Sequence, residues 1–208
     1  GPATTRSMVL DPSGSRLFLT GRGVGGYNPF RSVDLAAIGR PAAAVNLFDV
    51  VRSLDTRGIA ISNDGLRAYI SLRIPDSLAI LDLTPDPSGR SAQRLVNVIS
   101  MPLGPTEVRV LPPRPGKRDL VAVACTESNS VVLYDDDDGV IAKYFGNTRA
   151  EALQAGHTPF AMAVQSLTPS TARLYVASFE RDYISTIDVD LDNPVISAPG
   201  RRLGSERR

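Results

Sequence analysis

The chain has 208 residues, of which 42% are hydrophobic and 22% are charged. This composition is normal for a folded globular protein and argues against intrinsic disorder. Lysine and arginine together number 23, and aspartate and glutamate number 22. That balance gives no electrostatic reason to expect nucleic acid as a partner. No window approaches the roughly 18 apolar residues of a transmembrane helix, and the single cysteine, Cys125, excludes an intrachain disulfide.

Short β-like runs recur along the chain at nearly constant intervals. Apolar runs are centred on Phe18, Tyr69, Val121 and Tyr175, which are 51, 52 and 54 residues apart. After each comes a second run that ends in a hydrophobic residue and an aspartate, at Phe48-Asp49, Leu81-Asp82, Tyr134-Asp135 and Ile187-Asp188. Repeats of this length built from short strands are typical of β-propeller blades. We therefore predict an all-β propeller of four four-stranded blades.

The repeats divide one predicted domain, residues 1–208, into blades at about 7–56, 57–103, 104–148 and 157–204. Tight turns are predicted at 11–14 and 62–65, where Gly14 and Gly65 permit a positive φ. In the first repeat we place the third strand at 45–49, which leaves a long insertion after Thr20. Residues 149–156 alone have the pattern of a helical turn.

Two stretches carry a family resemblance: RGIAISNDGLRAYISLRIPDSLAILDL at 57–83 and TPFAMAVQSLTPSTARLYVASFERDYISTIDVD at 158–190. Both resemble the YVTN-type repeat of bacterial cell-envelope and secreted β-propellers. Propellers of that family usually close with about seven blades, and propellers in general have about 4–8. The resemblance leaves two alternatives open: a ring closed by four blades, or a partial ring completed by further blades or by a partner chain.

The insertion in the first repeat is the first candidate binding element. Its glycines, Gly21, Gly23 and Gly26, suggest a dinucleotide-binding loop, but no helix follows them. A long loop that carries Tyr27, Phe30 and Arg31 is better interpreted as a docking element, with a passive insertion as the equal alternative.

Two further candidates lie at the predicted first strands of later blades. The only histidine, His157, precedes such a strand, where propeller loops open onto the central channel. It is a candidate ligand-binding or proton-carrying residue, with a surface or capping role as the alternative. Glu107 and Arg109 are two residues apart in another predicted first strand, so both side chains point to the same face. A simple exposed ion pair is the alternative there.

The run of four aspartates at 135–138, followed by Gly139, is the strongest charge signal. Clustered carboxylates suggest Ca²⁺, which makes Asp136, Asp137 and His157 weak metal candidates. The repeat favours another interpretation, in which Asp135 ends a strand and Asp138 with Gly139 forms a hairpin turn. We predict no cofactor, with Ca²⁺ or another metal as the alternative.

The sequence contains no recognisable catalytic constellation, so we predict no catalytic residues. We expect a non-catalytic binding or scaffold module that contacts another protein chain or further blades. The resemblance implies a periplasmic, cell-surface or extracellular location, although the N-terminal residues contain no signal core. The alternative is the propeller part of an enzyme, lactonase-like or a quinone- or haem-linked oxidoreductase, with a site at the channel mouth.

Overall fold

The structure, a computed structural model, describes residues 4–22, 29–37, 43–46, 53, 55–85, 93–137, 140–144 and 158–194. Within these residues fifteen strands form four antiparallel sheets, and the only helical element is a 3-10 turn at Leu35–Ala37. Hydrogen-bonded neighbours within each sheet follow the order of the chain. No helix in the described ranges is long and apolar enough to span a membrane. The predicted all-β fold is confirmed.

The strand bounds follow the predicted repeats. The first sheet contains β1 (Thr4–Leu10), β2 (Arg16–Arg22), β3 (Pro29–Asp34) and β4 (Ala43–Asn46). The second contains β5 (Asp55–Ile61), β6 (Arg67–Arg73), β7 (Ser77–Asp82) and β8 (Arg94–Ser100). The third contains β9 (Pro105–Val110), β10 (Leu120–Cys125), β11 (Ser130–Asp135) and β12 (Val140–Tyr144). The described strands of the fourth are β13 (Pro159–Thr168), β14 (Thr171–Ser178) and β15 (Ile184–Asp190).

Both predicted tight turns are present. Gly14 has a φ of 69° and donates its backbone N–H to the carbonyl of Asp11 at 2.9 Å. Gly65 has a φ of 76° and donates to the carbonyl of Ser62 at 3.0 Å. A positive φ is inexpensive only for glycine, so these two residues set the hairpins β1–β2 and β5–β6. The predicted helical turn at 149–156 lies outside the described residues.

The first sheet corrects the prediction for its third strand. We placed that strand at 45–49, but the structure forms it as β3, and Val45 belongs to β4, where it pairs with Phe30. Phe30 is buried in the core and Val33 is half-buried on the opposite face, so packing holds this segment as a strand, whereas the glycines before it favoured a loop. The segment 21–44 is therefore not a single inserted loop. Phe48 and Asp49 lie outside the described residues.

The repeated aspartate keeps its place in the blade, but its first member changes. An aspartate at or near the end of each third strand faces the start of the second strand, in the pairs Asp34–Arg16, Asp82–Arg67, Asp135–Leu120 and Asp188–Arg173. A carboxylate oxygen of three of them accepts the backbone N–H two residues later, at 2.9 Å for Asp34, 2.8 Å for Asp82 and 3.1 Å for Asp135. A side chain that bonds the following backbone ends the ladder.

The chain divides into two compact units, Gly1–Ser100 and Met101–Arg208. In each unit one apolar core lies between two sheets, and the first strands of those sheets are neighbours, β1 with β5 and β9 with β13. Phe18 and Phe30 stack in the core of the first unit, with their ring centroids 5.7 Å apart. Leu174 and Val176 contribute from the fourth sheet to the core of the second unit.

In two sheets, most side chains of one face are exposed or half-buried among the described residues. In the first sheet, the side opposite Phe18 and Phe30 is here called the first outer face; the strand register places on it Met8, Leu10, Leu17, Leu19, Arg31 and Val33. In the fourth sheet, the side opposite Leu174 is called the fourth outer face; the register places on it Ala161, Ala163, Gln165, Arg173, Tyr175, Ala177, Ile184, Thr186 and Asp188. Residues directly opposite in antiparallel strands share a face.

Candidate functional site

The predicted charge pair on β9 is formed. A terminal nitrogen of Arg109 lies 2.6 Å from a carboxylate oxygen of Glu107, and the Arg109 Nε donates to the carbonyl of Met162 at 2.8 Å. The intervening Val108 is fully buried on the other face. Arg109 therefore joins β9 to β13, the first strand of the neighbouring sheet.

Burial raises the pKa of the Glu107 carboxyl, and the positive charge of Arg109 opposes that rise only in part. Desolvation disfavours the charged form of a carboxyl, which becomes a better proton carrier near neutral pH as a result. The pair can orient a polar ligand or exchange a proton. A binding role for Glu107 and Arg109 stays a prediction.

Three arginines surround one buried aspartate in the first unit. The Asp55 side chain is only 7% exposed, and its Oδ2 lies 2.7 Å from a terminal nitrogen of Arg57. Its Oδ1 faces Arg6 and Arg22 at 3.9 Å and 4.0 Å, beyond hydrogen-bond distance. Among the described residues neither this Oδ1 nor the buried Nε of Arg57 has a hydrogen-bond partner.

Irregular strand pairing brings these arginines together. Thr5 pairs with Gly21 and Ser7 with Thr20, so Arg6 is an extra residue in β1. The pairing of β5 with β6 has the same irregularity beside Thr56, at Arg57 and its neighbour. An extra residue of this kind redirects a side chain and bends the strand locally.

This cluster was not predicted from the sequence, although a signal was present. The dipeptides Thr5-Arg6 and Thr56-Arg57 lie 51 residues apart, the spacing of the repeat. What the sequence does not display is the shift of pairing that turns both arginines toward Asp55.

The aspartates at the end of β11 and just after it accept hydrogen bonds from other residues of the chain. Two terminal nitrogens of the buried Arg114 donate to the two oxygens of Asp135 at 2.8 Å and 2.6 Å, and this pairing lowers the Asp135 pKa. Asp136 accepts a hydrogen bond from the Tyr134 hydroxyl at 3.3 Å, and Asp137 accepts the backbone N–H of Arg118 at 3.0 Å. These bonds fit the interpretation that the run ends a strand; Asp138 and Gly139 lie outside the described residues.

No group of three or more histidine, cysteine, aspartate or glutamate side chains in the described part of the chain is arranged to hold a metal ion. Asp136 is buried, and His157, the other weak metal candidate with Asp137, lies outside the described residues. The choice between no cofactor and Ca²⁺ or another metal stays a prediction.

The residues of the supposed docking loop have different environments. Phe30 is fully buried in the core, stacked on Phe18, so in this structure it is no docking residue. Arg31 is half-buried on the first outer face, opposite Leu19. Phe30 and Arg31 thus lie on opposite faces of the first sheet, and Tyr27 lies outside the described residues.

An exposed aromatic pair at the start of the fourth sheet is a second feature that was not predicted from the sequence. The ring centroids of Phe160 and Phe179 are 5.2 Å apart, and 43% and 70% of these residues are exposed. The backbone N–H of Phe179 donates to the carbonyl of Thr158 at 3.0 Å, which holds the loop after β14 beside the start of β13. Aromatic side chains paired in solvent are typical of protein-binding surfaces.

Comparisons with known proteins reveal likeness in structure but not in sequence. No family model matches the chain, and no curated protein matches it. Hydrazine synthase of Kuenenia stuttgartiensis is similar over 96% of this chain and 49% of its own, with 16% identity and a TM-score of 0.67. The periplasmic gluconolactonase of Pseudomonas aeruginosa is similar over 97% and 54%, with 18% identity and a TM-score of 0.66.

A third solved structure, a Bacteroides fragilis protein provisionally assigned as a 6-phosphogluconolactonase, is similar over 99% of this chain and 56% of its own, with 15% identity and a TM-score of 0.69. The chain thus spans about half the length of these proteins. They are β-propeller proteins, and likeness at such low identity shows the fold alone. Membership of the YVTN repeat family stays a prediction, and the chain has a β-propeller fold built from four blade-like sheets.

Proposed function

We propose that the chain is a non-catalytic β-propeller module that binds further propeller blades through its first and fourth outer faces. Each occupant is another antiparallel sheet with an apolar side, supplied by a longer chain or by a partner. The observation that carries the proposal is the exposure of apolar side chains on these two faces, among them Met8, Leu10 and Ile184.

The first outer face is strongly apolar. Five side chains on it are aliphatic or methionine, and Met8 and Leu10 are 64% and 50% exposed. Leu17, Leu19 and Val33 are half-buried. Burying one such side chain fully stabilises a complex by about 1.5–3 kcal/mol, so a face of this composition favours cover by another apolar surface.

The fourth outer face carries more polar side chains than the first. In β14 every second residue is buried toward the core, whereas Tyr175 and Ala177 on the other side are half-buried. Ala161, Ala163 and Ile184 beside them are exposed. By contrast, every residue of β10 and β11 is buried.

The length of the structural neighbours supports the same proposal. Two of them contain about twice the length that this chain matches, and blades of a propeller pack face to face around a channel. Further blades are therefore the occupants whose shape and chemistry best fit both outer faces.

The test is the native mass of the purified 208-residue chain, measured by sedimentation over a range of concentrations. Without further blades, we expect the chain to cover its outer faces with a second copy and to exceed its monomer mass of 22.2 kDa. Leu19→Asp should return it to the monomer, since a charge cannot be buried there without a partner. Leu66→Asp, at an exposed leucine outside both faces, should not. A chain that stays monomeric at every concentration would contradict the proposal.

A location in the bacterial periplasm, on the cell surface or outside the cell belongs to the same proposal. Its support is analogy, because one structural neighbour is described as a periplasmic gluconolactonase. Fractionation of the source cells, with the chain followed by antibody, tests the location; recovery only from the cytoplasm would contradict it.

A lactonase-like enzyme is the second candidate, favoured by the raised pKa of Glu107 beside Arg109 and by the gluconolactonase neighbour. The test is hydrolysis of δ-gluconolactone above the uncatalysed rate. In an enzyme of this kind, Glu107→Gln should remove that activity and Glu180→Gln, at an exposed glutamate, should keep it. Hydrolysis no faster than in buffer would exclude this candidate for that substrate.

A further inference from the structure

We propose that Arg6, Arg22 and Arg57 form a binding site for a small oxyanion, a carboxylate or phosphate group, at the starting ends of β1 and β5. The site goes beyond the proposed contact with further blades and does not depend on it. All of its residues belong to the first compact unit.

Charge is the first argument. Three guanidinium groups gather around a single carboxylate, and that carboxylate is already paired with Arg57 at 2.7 Å. Arg6 and Arg22 approach the same oxygen of Asp55 at 3.9 Å and 4.0 Å without bonding to it. A structural ion pair needs one arginine; two more leave an excess of positive charge that an anion would neutralise.

Unfilled hydrogen-bonding capacity is the second argument. The Nε of Arg57 is a buried donor for which the described residues provide no acceptor. The side chains of Arg6 and Arg22 remain 34% and 50% exposed, so their donors are open to a ligand from solvent. Planar guanidinium groups match the paired oxygens of carboxylates and phosphates.

The backbone is the third argument. Both Arg6 and Arg57 occupy irregularities in otherwise regular strands, at matching places in two consecutive repeats. The hydroxyl of Thr56 donates to the carbonyl of Gly21 at 2.7 Å, which fixes the start of β5 beside the end of β2 that carries Arg22. The positions of the three arginines are therefore set by the fold rather than by chance contact of long side chains.

The experiment is a calorimetric titration of the full chain with sodium phosphate and, separately, with sodium acetate, at constant ionic strength. We expect saturable binding of at least one of them at one site per chain. Arg6→Gln and Arg22→Gln should each weaken it at least tenfold. Arg94→Gln removes the same charge from an exposed arginine of the same unit, 73% exposed, and should change the affinity less than twofold.

Each outcome decides the proposal. Binding of phosphate alone or of acetate alone identifies the group and supports the site. Binding of neither, or equal weakening by Arg94→Gln, overturns it. Arg22→Lys keeps the charge but not the forked geometry, and an intermediate loss is expected. Circular dichroism checks folding, and because Arg22 is half exposed, its variants keep the test valid if Arg6→Gln fails to fold.

Discussion

Arg114 and Arg94 each bind an aspartate at the end of a third strand, but Arg114 is buried and Arg94 is exposed. Arg114 is buried and holds both oxygens of Asp135, and two of its nitrogens also donate to the carbonyl of Arg118. Arg94 holds Asp82 through one bond at 3.0 Å from an exposed position. Removing one partner of a buried pair leaves a charge without compensation, whereas an exposed pair contributes little.

We therefore expect Arg114→Ala to lower the free energy of unfolding by about 3–5 kcal/mol. Arg94→Ala should lower it by less than about 1 kcal/mol. Urea unfolding followed by circular dichroism measures both. Similar costs for the two substitutions would show that the Asp135 pair is open to solvent.

The pH dependence of stability follows from the Asp188 pair. Arg173 binds both oxygens of Asp188 and lowers its pKa. A folded pKa below the unfolded value, about 3.9, means stability that is present above that value and lost as pH falls through the folded pKa. Between about pH 4 and pH 2 the unfolding free energy of Asp188→Asn should fall less steeply than that of the wild type. Parallel curves would contradict the assignment.

Spacing along a strand predicts which side chains share a face, but not where the pairing slips. Glu107 and Arg109 are two residues apart, and their contact could be expected from the sequence because alternate residues point the same way. The cluster around Asp55 could not, because Arg6 and Arg57 reach it only through extra residues in β1 and β5. Such shifts depend on the partner strand and leave little trace in local spacing.

At the scale of elements, β3 and β4 are the strands that the repeat pattern did not predict correctly. The second and third strands of the later sheets are rich in valine, isoleucine and leucine, so their existence follows from composition. Strand β4 begins with two alanines, which are uncommon in strands. Phe48 and Asp49 have the same pattern, a hydrophobic residue followed by aspartate, that lies at or near the end of the third strands of the later sheets. In the first sheet, Val33 and Asp34 form that ending.

Substitution of Phe30 distinguishes a core strand from a docking loop. Phe30→Ala removes a fully buried ring stacked on Phe18 and should cost about 3–5 kcal/mol of unfolding free energy. Arg31→Ala, at the half-buried neighbour in the same strand, should cost less than about 1 kcal/mol. Chemical denaturation measures the difference. A loss below about 1 kcal/mol for Phe30→Ala would contradict the burial of this ring and would favour a surface loop for the segment.

A glycine before β9 is required for a close approach between chain segments. Gly104 has a φ of 74°, and a Cβ there would lie 2.8 Å from the backbone nitrogen of Glu127. Gly116 has a φ of 69° and open space around it. Gly116→Ala should cost about 1–2 kcal/mol for its backbone conformation alone, and Gly104→Ala distinctly more. Thermal unfolding compares them, and equal losses would argue against the contact.

At the scale of the whole molecule, the proposed cover of the outer faces links stability to concentration. A complex that forms only between folded chains stabilises them by mass action. Raising the concentration about a hundredfold above the dissociation constant adds about 2.7 kcal/mol, or several degrees in Tm for a chain of this size. Calorimetry should find this rise for the wild type and Leu66→Asp and its absence for Leu19→Asp. A Tm independent of concentration in all three would contradict it.

The extra residues in β1 and β5 add binding groups at positions outside the regular strand pairing. Arg6 and Arg57 lie where the pairing ladder skips one residue, so their side chains are not part of the alternating pattern that each sheet needs. Arg57 also holds the buried Asp55 at 2.7 Å, so its replacement would leave that carboxylate without its partner. Arg6 lies 3.9 Å from the same aspartate and carries no such pair, so ligand preference at this end of the molecule can be changed at Arg6 while the pair in the scaffold is kept.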